Sequence, residues 1–269
     1  MNYTFRVTPR RQAPKGNPRS TFILETDTWD DFGHKVFFAL TFIDSAGKKH
    51  VIGPVKILQW EGASSDPMAV AHTTELPNSF SELDNNFISL GQEDDYYTRL
   101  HELFANDVGS VLVALRDIAW EPTLAEPFET TTAFRNALMR NNSAHRARKF
   151  GRAWALGEPF KEQLSFRYLG SVEGADQPIE VTFEFDGRDD IPGRVVGIIG
   201  RNAVGKTRFL SSLGEDLAQI SRTSAERITE RESRFPDGRP LFNRIIAISY
   251  SAFDKFKRPV SDDSSSYVY

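Results

Sequence analysis

Lys206 and Thr207 close the run Gly200-Arg201-Asn202-Ala203-Val204-Gly205-Lys206-Thr207. Its spacing, G-x-x-x-x-G-K-[ST], is that of a P-loop, in which backbone N–H groups turn inward around phosphates and the following helix aims its positive end at them. The residue types divide the work. Gly200 and Gly205 permit torsions and a close backbone approach that a Cβ would obstruct, the Lys206 ammonium reaches the β- and γ-phosphate oxygens, and the Thr207 hydroxyl is a Mg²⁺ ligand. The chemistry expected is binding of ATP with Mg²⁺, with Lys206 as the cation on the terminal phosphate. The plain alternative is a loop that keeps its turn for strand-to-helix packing and binds nothing.

Such a loop works only between a strand and a helix. Val195-Val196-Gly197-Ile198-Ile199 precedes it as an apolar run and Arg208-Phe209-Leu210-Ser211-Ser212-Leu213 follows with helical periodicity, so the order reads strand, loop, helix. Upstream, Leu164–Leu169 and the alternating Ile179–Phe185 read as strands of a sheet with one wet face. Downstream, a polar stretch at Ser221–Gly238 leads to Arg244–Tyr250, expected to be a buried strand, and to a loop-like tail at Ser261–Ser266.

Earlier in the chain, residues 8–20 hold three prolines, a glycine and four basic side chains, and are expected to form a loop or mobile arm whose charge serves solvation before binding. Phe22–Leu24, Lys35–Ile43 and Val51–Leu58 are strand-like, with Asp44–Lys48 as the turn of an aromatic-rich hairpin. Between Asp94 and Ala119, apolar residues recur at steps of three and four, which predicts a helix or a helical pair broken near Asn106-Asp107 or Gly109. A second helical segment, about Thr132–Phe150, ends in Arg140, Arg146, Arg148, Lys149 and then Arg152. That cluster suits phosphates or an acidic partner, but a solvated helix end is the commoner explanation.

Composition narrows the function classes. The 269 residues, 39% apolar and 26% charged, suffice for one large or two unequal domains with a sizeable core. A formal charge of −4 argues against a global polyanion binder, so DNA or RNA is neither excluded nor indicated by the total. The absence of cysteine removes disulfides, thiolate catalysis and cysteine-bound metal. No apolar stretch approaches the ~20 residues of a membrane span, and a cytoplasmic protein is expected. The five histidines are scattered without metal-ligand spacing, and no Ser/His/Asp nucleophile signature is present.

The pattern Gly-x-Asn-x-x-Gly-Lys-Thr, the two antiparallel-looking strands before it and the later Ile-Ser-Tyr-Ser-Ala-Phe-Asp resemble ABC-type ATPases, especially their SMC-like branch in DNA repair and bacterial antiphage defence. The resemblance covers roughly Leu164–Phe256. It implies that Gly200 through Arg208 cradle the nucleotide, with Asn202 shaping the loop, and that an aromatic of the first strand, here Tyr168, stacks on adenine. Ala203 departs from the glycine usual at its position. Phe80–Leu83, Phe87–Gly91 and Asp95–Tyr97 are similar to the amino-terminal region of AAA-family ATPases associated with retron and Septu systems.

Hydrolysis in that family also needs a Walker B Asp with a catalytic Glu, a signature loop from a partner subunit and a switch His. None is found in this sequence. Ser251 and Asp254 are the weak candidates for a Mg²⁺- or water-contacting loop, Asp254 serving equally well as a turn or helix cap. The expected architecture is therefore α/β: a β-hairpin and helical region over residues 1–160, then over 161–269 the first part of a P-loop NTPase core of ABC/SMC-like type, a mixed sheet with an antiparallel β lobe. The resemblance implies a homodimer that sandwiches ATP and gates an effector, for instance a nuclease, in antiphage defence. A DNA-repair ATPase and a nucleotide-gated module without turnover are the competing expectations.

Overall fold

The computed structural model describes residues 3–61, 69–159, 164–171, 177–185, 195–201, 204–218, 225–242, 245–248 and 267–268. The chain divides into two compact units, Met1–Phe160 and Lys161–Tyr269. Both mix helix and sheet.

The first unit is built on a six-stranded mixed sheet. Its strands are β1 (Thr4–Thr8), β2 (Thr21–Thr26), β3 (Phe37–Ile43), β4 (Lys49–Gln59), β5 (Ser79–Phe80) and β6 (Phe87–Gly91), in the order β5-β1-β2-β3-β4-β6. β1 and β2 run parallel and the other neighbours antiparallel. Adjacent parallel strands need a connection that carries the chain back along the full strand length, and residues 9–20 supply it. The proline-rich segment is thus a crossover, tied by the Arg6 guanidinium to the Lys15 carbonyl at 3.3 Å and by the Arg11 amide to Glu25 at 2.8 Å.

Period-2 alternation sends Phe5, Phe22 and Phe42 to one face, where the rings of Phe5 and Phe22 stack at 4.8 Å and Phe104 closes on Phe42 at 4.9 Å. Phe104 ends helix α1 (Asp94–Phe104). A single 3-10 turn at Ala105–Asp107 separates it from α2 (Val108–Ala114), a break near Asn106-Asp107 of the kind the sequence predicts. The second predicted helix is divided: Phe134–Leu138 forms a π turn, and α3 (Asn142–Ala155) starts afresh and packs on α1 and β6. The arginines of α3 have partners within the unit, while Lys149 is exposed. Arg146 pairs with Asp94, Arg148 with Glu129, and the Arg152 guanidinium lies over Trp120.

In the second unit, β7 (Phe166–Gly170) and β8 (Ile179–Phe183) form the antiparallel pair expected there. Helix α4 (Lys206–Ala218) rests on β7, followed by α5 (Ala225–Ser233) and two short parallel strands, β9 (Ile245–Ile246) and β10 (Tyr267–Val268). Two expectations are corrected here. Val195–Ile199 has no strand pairing among the described residues, and Ile199 is 97% exposed. Of Arg244–Tyr250, the described residues 245–248 contribute the two-residue β9, and Ile248 is 78% exposed. The physical reason is the same for both: an apolar run is buried only if a neighbouring strand satisfies its backbone, and among the described residues none flanks them except β10 beside β9.

Candidate nucleotide site

Helix α4 is fixed by its inward stripe. Phe209, Leu213 and Leu217 recur every four residues, all buried, against Phe166, Phe183 and Phe235. Gly170 makes the seat possible, because a Cβ there would lie 2.2 Å from the Phe209 ring. Farther along α4, the Asp216 carboxylate accepts the Tyr168 hydroxyl at 2.7 Å and the Arg234 guanidinium at 2.8 Å. The Leu169 amide donates to the Arg234 carbonyl at 2.8 Å, which joins the same anchor to β7.

With the helix body held, its amino-terminal end carries the loop. Gly205 has φ +90°, a left-handed torsion that glycine adopts without a Cβ penalty. The first bond of the helix runs from the Phe209 amide to the Gly205 carbonyl at 2.9 Å, so the positive dipole end sits at Gly205–Thr207. The Lys206 ammonium folds back across the loop and donates to the carbonyls of Gly200 at 2.7 Å and Arg201 at 2.8 Å. Thr207 and Arg208 are exposed, as is Val204, whose methyl would lie 3.2 Å from a Cβ built on Gly200.

Helix start, left-handed glycine, ammonium and hydroxyl are thereby collected at one place. Protein ea59 of Escherichia phage lambda is 27% identical to this chain over 240 residues. The match takes in 88% of the chain but 44% of ea59, so the chain spans less than half the length of that relative. No family model and no solved structure matches.

Tyr168 is placed differently from the expectation. Its ring is fully buried, with Phe209 edge-on at 5.5 Å and Phe235 at 5.2 Å, and burial pushes its hydroxyl above the usual tyrosine range. No ring face remains for adenine. The β-strand period explains this: Phe166, Tyr168 and Gly170 share the face that α4 covers. Asn202, Ala203, Ser251 and Asp254 lie outside the described residues. The Tyr168–Asp216–Arg234 anchor was not anticipated, although Asp216 seven residues beyond Phe209 falls on the same side of a helix.

An apolar groove of about 270 Å³ flanks α4, lined among others by Phe166, Phe183, Phe185, Leu213, Leu217 and Phe242. It presents no hydrogen-bonding side chain to a phosphate. Among the described residues, no helix is long and apolar enough to cross a membrane.

Proposed function

We propose that this chain binds ATP as its Mg²⁺ complex at Gly200–Thr207, as part of an ABC/SMC-like ATPase whose nucleotide-driven assembly gates a partner effector in antiphage defence. The observation that carries the nucleotide reading is the Lys206 ammonium held by two neutral carbonyls at the head of α4. Two carbonyls leave its charge uncompensated, and the helix dipole adds to it, so an anion gains from both. Thr207 would offer its hydroxyl to Mg²⁺, and the loop amides would face the phosphate oxygens. Assembly is supported by the apolar side chains of Val195, Ile199, Ile246 and Ile248, exposed on this unit as on surfaces that further polypeptide covers. The effector and the defence setting rest on the sequence resemblance.

A nucleotide-gated module without turnover is the second reading. Among the described residues, no carboxylate is paired with Lys206 or Thr207. Calorimetric ATP titration and phosphate release, run on the chain and on Lys206→Ala, separate the readings. Binding abolished in the variant supports the site, and turnover then decides between ATPase and gate. Equal binding by both proteins, or none by either, would refute it.

A further inference from the structure

The face of β1–β3 that points away from α1 is overlaid by a basic segment of chain. Strand register puts Arg6, Ile23, Thr41 and Val51 in one row across β1–β4, opposite the phenylalanine row that Phe104 covers. The row on one side holds Thr4, Thr21, Ile43 and Lys49, and that on the other Thr8, Glu25, Ala39 and Pro54. The crossover at residues 9–20 runs on this same face, since Arg6 holds the Lys15 carbonyl and Glu25 the Arg11 amide. Its far end brings the Arg19 guanidinium against Gly47 in the β3–β4 turn, next to Lys48 and Lys49.

Six cations are collected in this way: Arg6, Arg11, Lys15, Arg19, Lys48 and Lys49. All but the half-buried Arg6 are exposed, and none pairs with a carboxylate among the described residues. The nearby acids are engaged. Glu25 accepts the Arg11 amide, Asp27 pairs with Arg10, and Asp44 accepts His50, a bond that holds its carboxyl below the usual range. The segregation begins in the sequence, where Met1–Leu24 carries five Lys and Arg and no Asp or Glu although the whole chain is net negative. Like charges repel, so an unneutralised cluster costs stability unless it meets an anion.

We propose that this face, formed by the crossover and the β3–β4 turn, is a contact surface for the phosphate backbone of a nucleic acid. Arginine forks suit phosphate oxygens in pairs, the lysines supply point charges, and a polyphosphate backbone engages several of them at once. The contact is to backbone and carries no base specificity.

The test is fluorescence anisotropy of a labelled ~20-bp DNA duplex with the full chain between about 50 and 200 mM salt, with polyglutamate of matched charge as competitor. The logarithm of affinity is expected to fall against log salt with a slope of up to roughly five for six phosphate contacts. Arg11→Ala/Lys15→Ala/Arg19→Ala lowers the slope by about 2–3 and the low-salt affinity tenfold or more. Lys48→Gln/Lys49→Gln, which leaves the crossover untouched, lowers the slope by about 2. No binding at low salt, unchanged slopes in both variants, or polyglutamate competing as well as unlabelled duplex would overturn the assignment.

Discussion

The Tyr97 hydroxyl donates to the buried Asp117 carboxylate, at 3.0 Å to Oδ2 and 3.2 Å to Oδ1, and accepts the Gly91 amide at 3.1 Å. Through these bonds Tyr97 of α1, Gly91 at the end of β6 and the turn after α2 are locked together. The Ala119 and Trp120 amides complete the shell of Asp117 at 2.8 and 3.2 Å.

A pH dependence follows from this shell. Burial outweighs the hydrogen bonds and pushes the Asp117 carboxyl up to about 6 from an ordinary 3.8. A raised folded pKa means the folded chain holds a proton that the unfolded chain has released between those values. Stability therefore falls as pH rises from about 4 to about 6 and is level above, by roughly 3 kcal/mol from this group. Asp117→Asn removes the titration while keeping an oxygen for the Ala119 amide. Urea unfolding across pH 4–8 should show the variant gaining on the wild type by up to that amount, and parallel curves would disprove the account.

Tyr168→Phe separates a structural tyrosine from one that touches nucleotide. The change removes the 2.7 Å bond to Asp216 and leaves the ring in place between Phe209 and Phe235. A stability loss of about 1 kcal/mol is expected, with ATP affinity unchanged within about twofold. A tenfold loss of affinity, about 1.4 kcal/mol, without matching destabilisation would return Tyr168 to the site.

Local sequence pattern was informative where burial is decided by one face. The alternation of Ile179–Phe183 and the three-and-four spacing of Tyr97, Leu100 and Phe104 were read directly, because the period itself selects strand or helix. The glycine-lysine loop was legible for the same reason, since its torsions and its flanking helix are local. Burial of Tyr168 was not, because the ring's neighbours come from Phe209 and Phe235, far along the chain. Nor was the role of residues 9–20: proline and basic residues announce a loop, but only the parallel pairing of β1 with β2 makes it a crossover. Val195–Ile199 misled because apolar composition states a need for burial without supplying the partner.

The Lys56–Asp31 pair is a second buried polar device. The ammonium is 2.7 Å from Asp31 Oδ2 and donates to the Ala137 carbonyl at 2.8 Å, while Arg140 holds Asp31 Oδ1 at 2.8 Å. Asp31→Leu strands the Lys56 ammonium in a dry site and should cost about 3–5 kcal/mol, whereas Lys56→Met leaves Asp31 with Arg140 and should cost less. Asp31→Leu/Lys56→Met should cost clearly less than the two single changes added, because the buried ammonium is no longer stranded and Arg140, 24% exposed, still reaches solvent. A double-mutant cycle by urea unfolding that closes additively, within about 0.5 kcal/mol, would contradict this.

Gly151→Ala sets two effects of opposite sign against each other on α3. Alanine favours a helix interior by about 1 kcal/mol over glycine. The added Cβ, however, would stand 2.8 Å from Tyr97 Cζ, closer than real contacts allow, and a tight 3.0 Å from the Ala119 Cβ. Tyr97 cannot swing aside without giving up Asp117 and the Gly91 amide, so the strain, about 1–3 kcal/mol for overpacking, prevails. A net destabilisation of about 1 kcal/mol is expected in thermal or urea unfolding. The control is the same change in a Tyr97→Leu background, where the ring is gone. There only the tight approach to Ala119 opposes the helix term, and Gly151→Ala costs clearly less than in the wild type; destabilisation of equal size in both backgrounds would mean that Tyr97 is not what glycine makes room for.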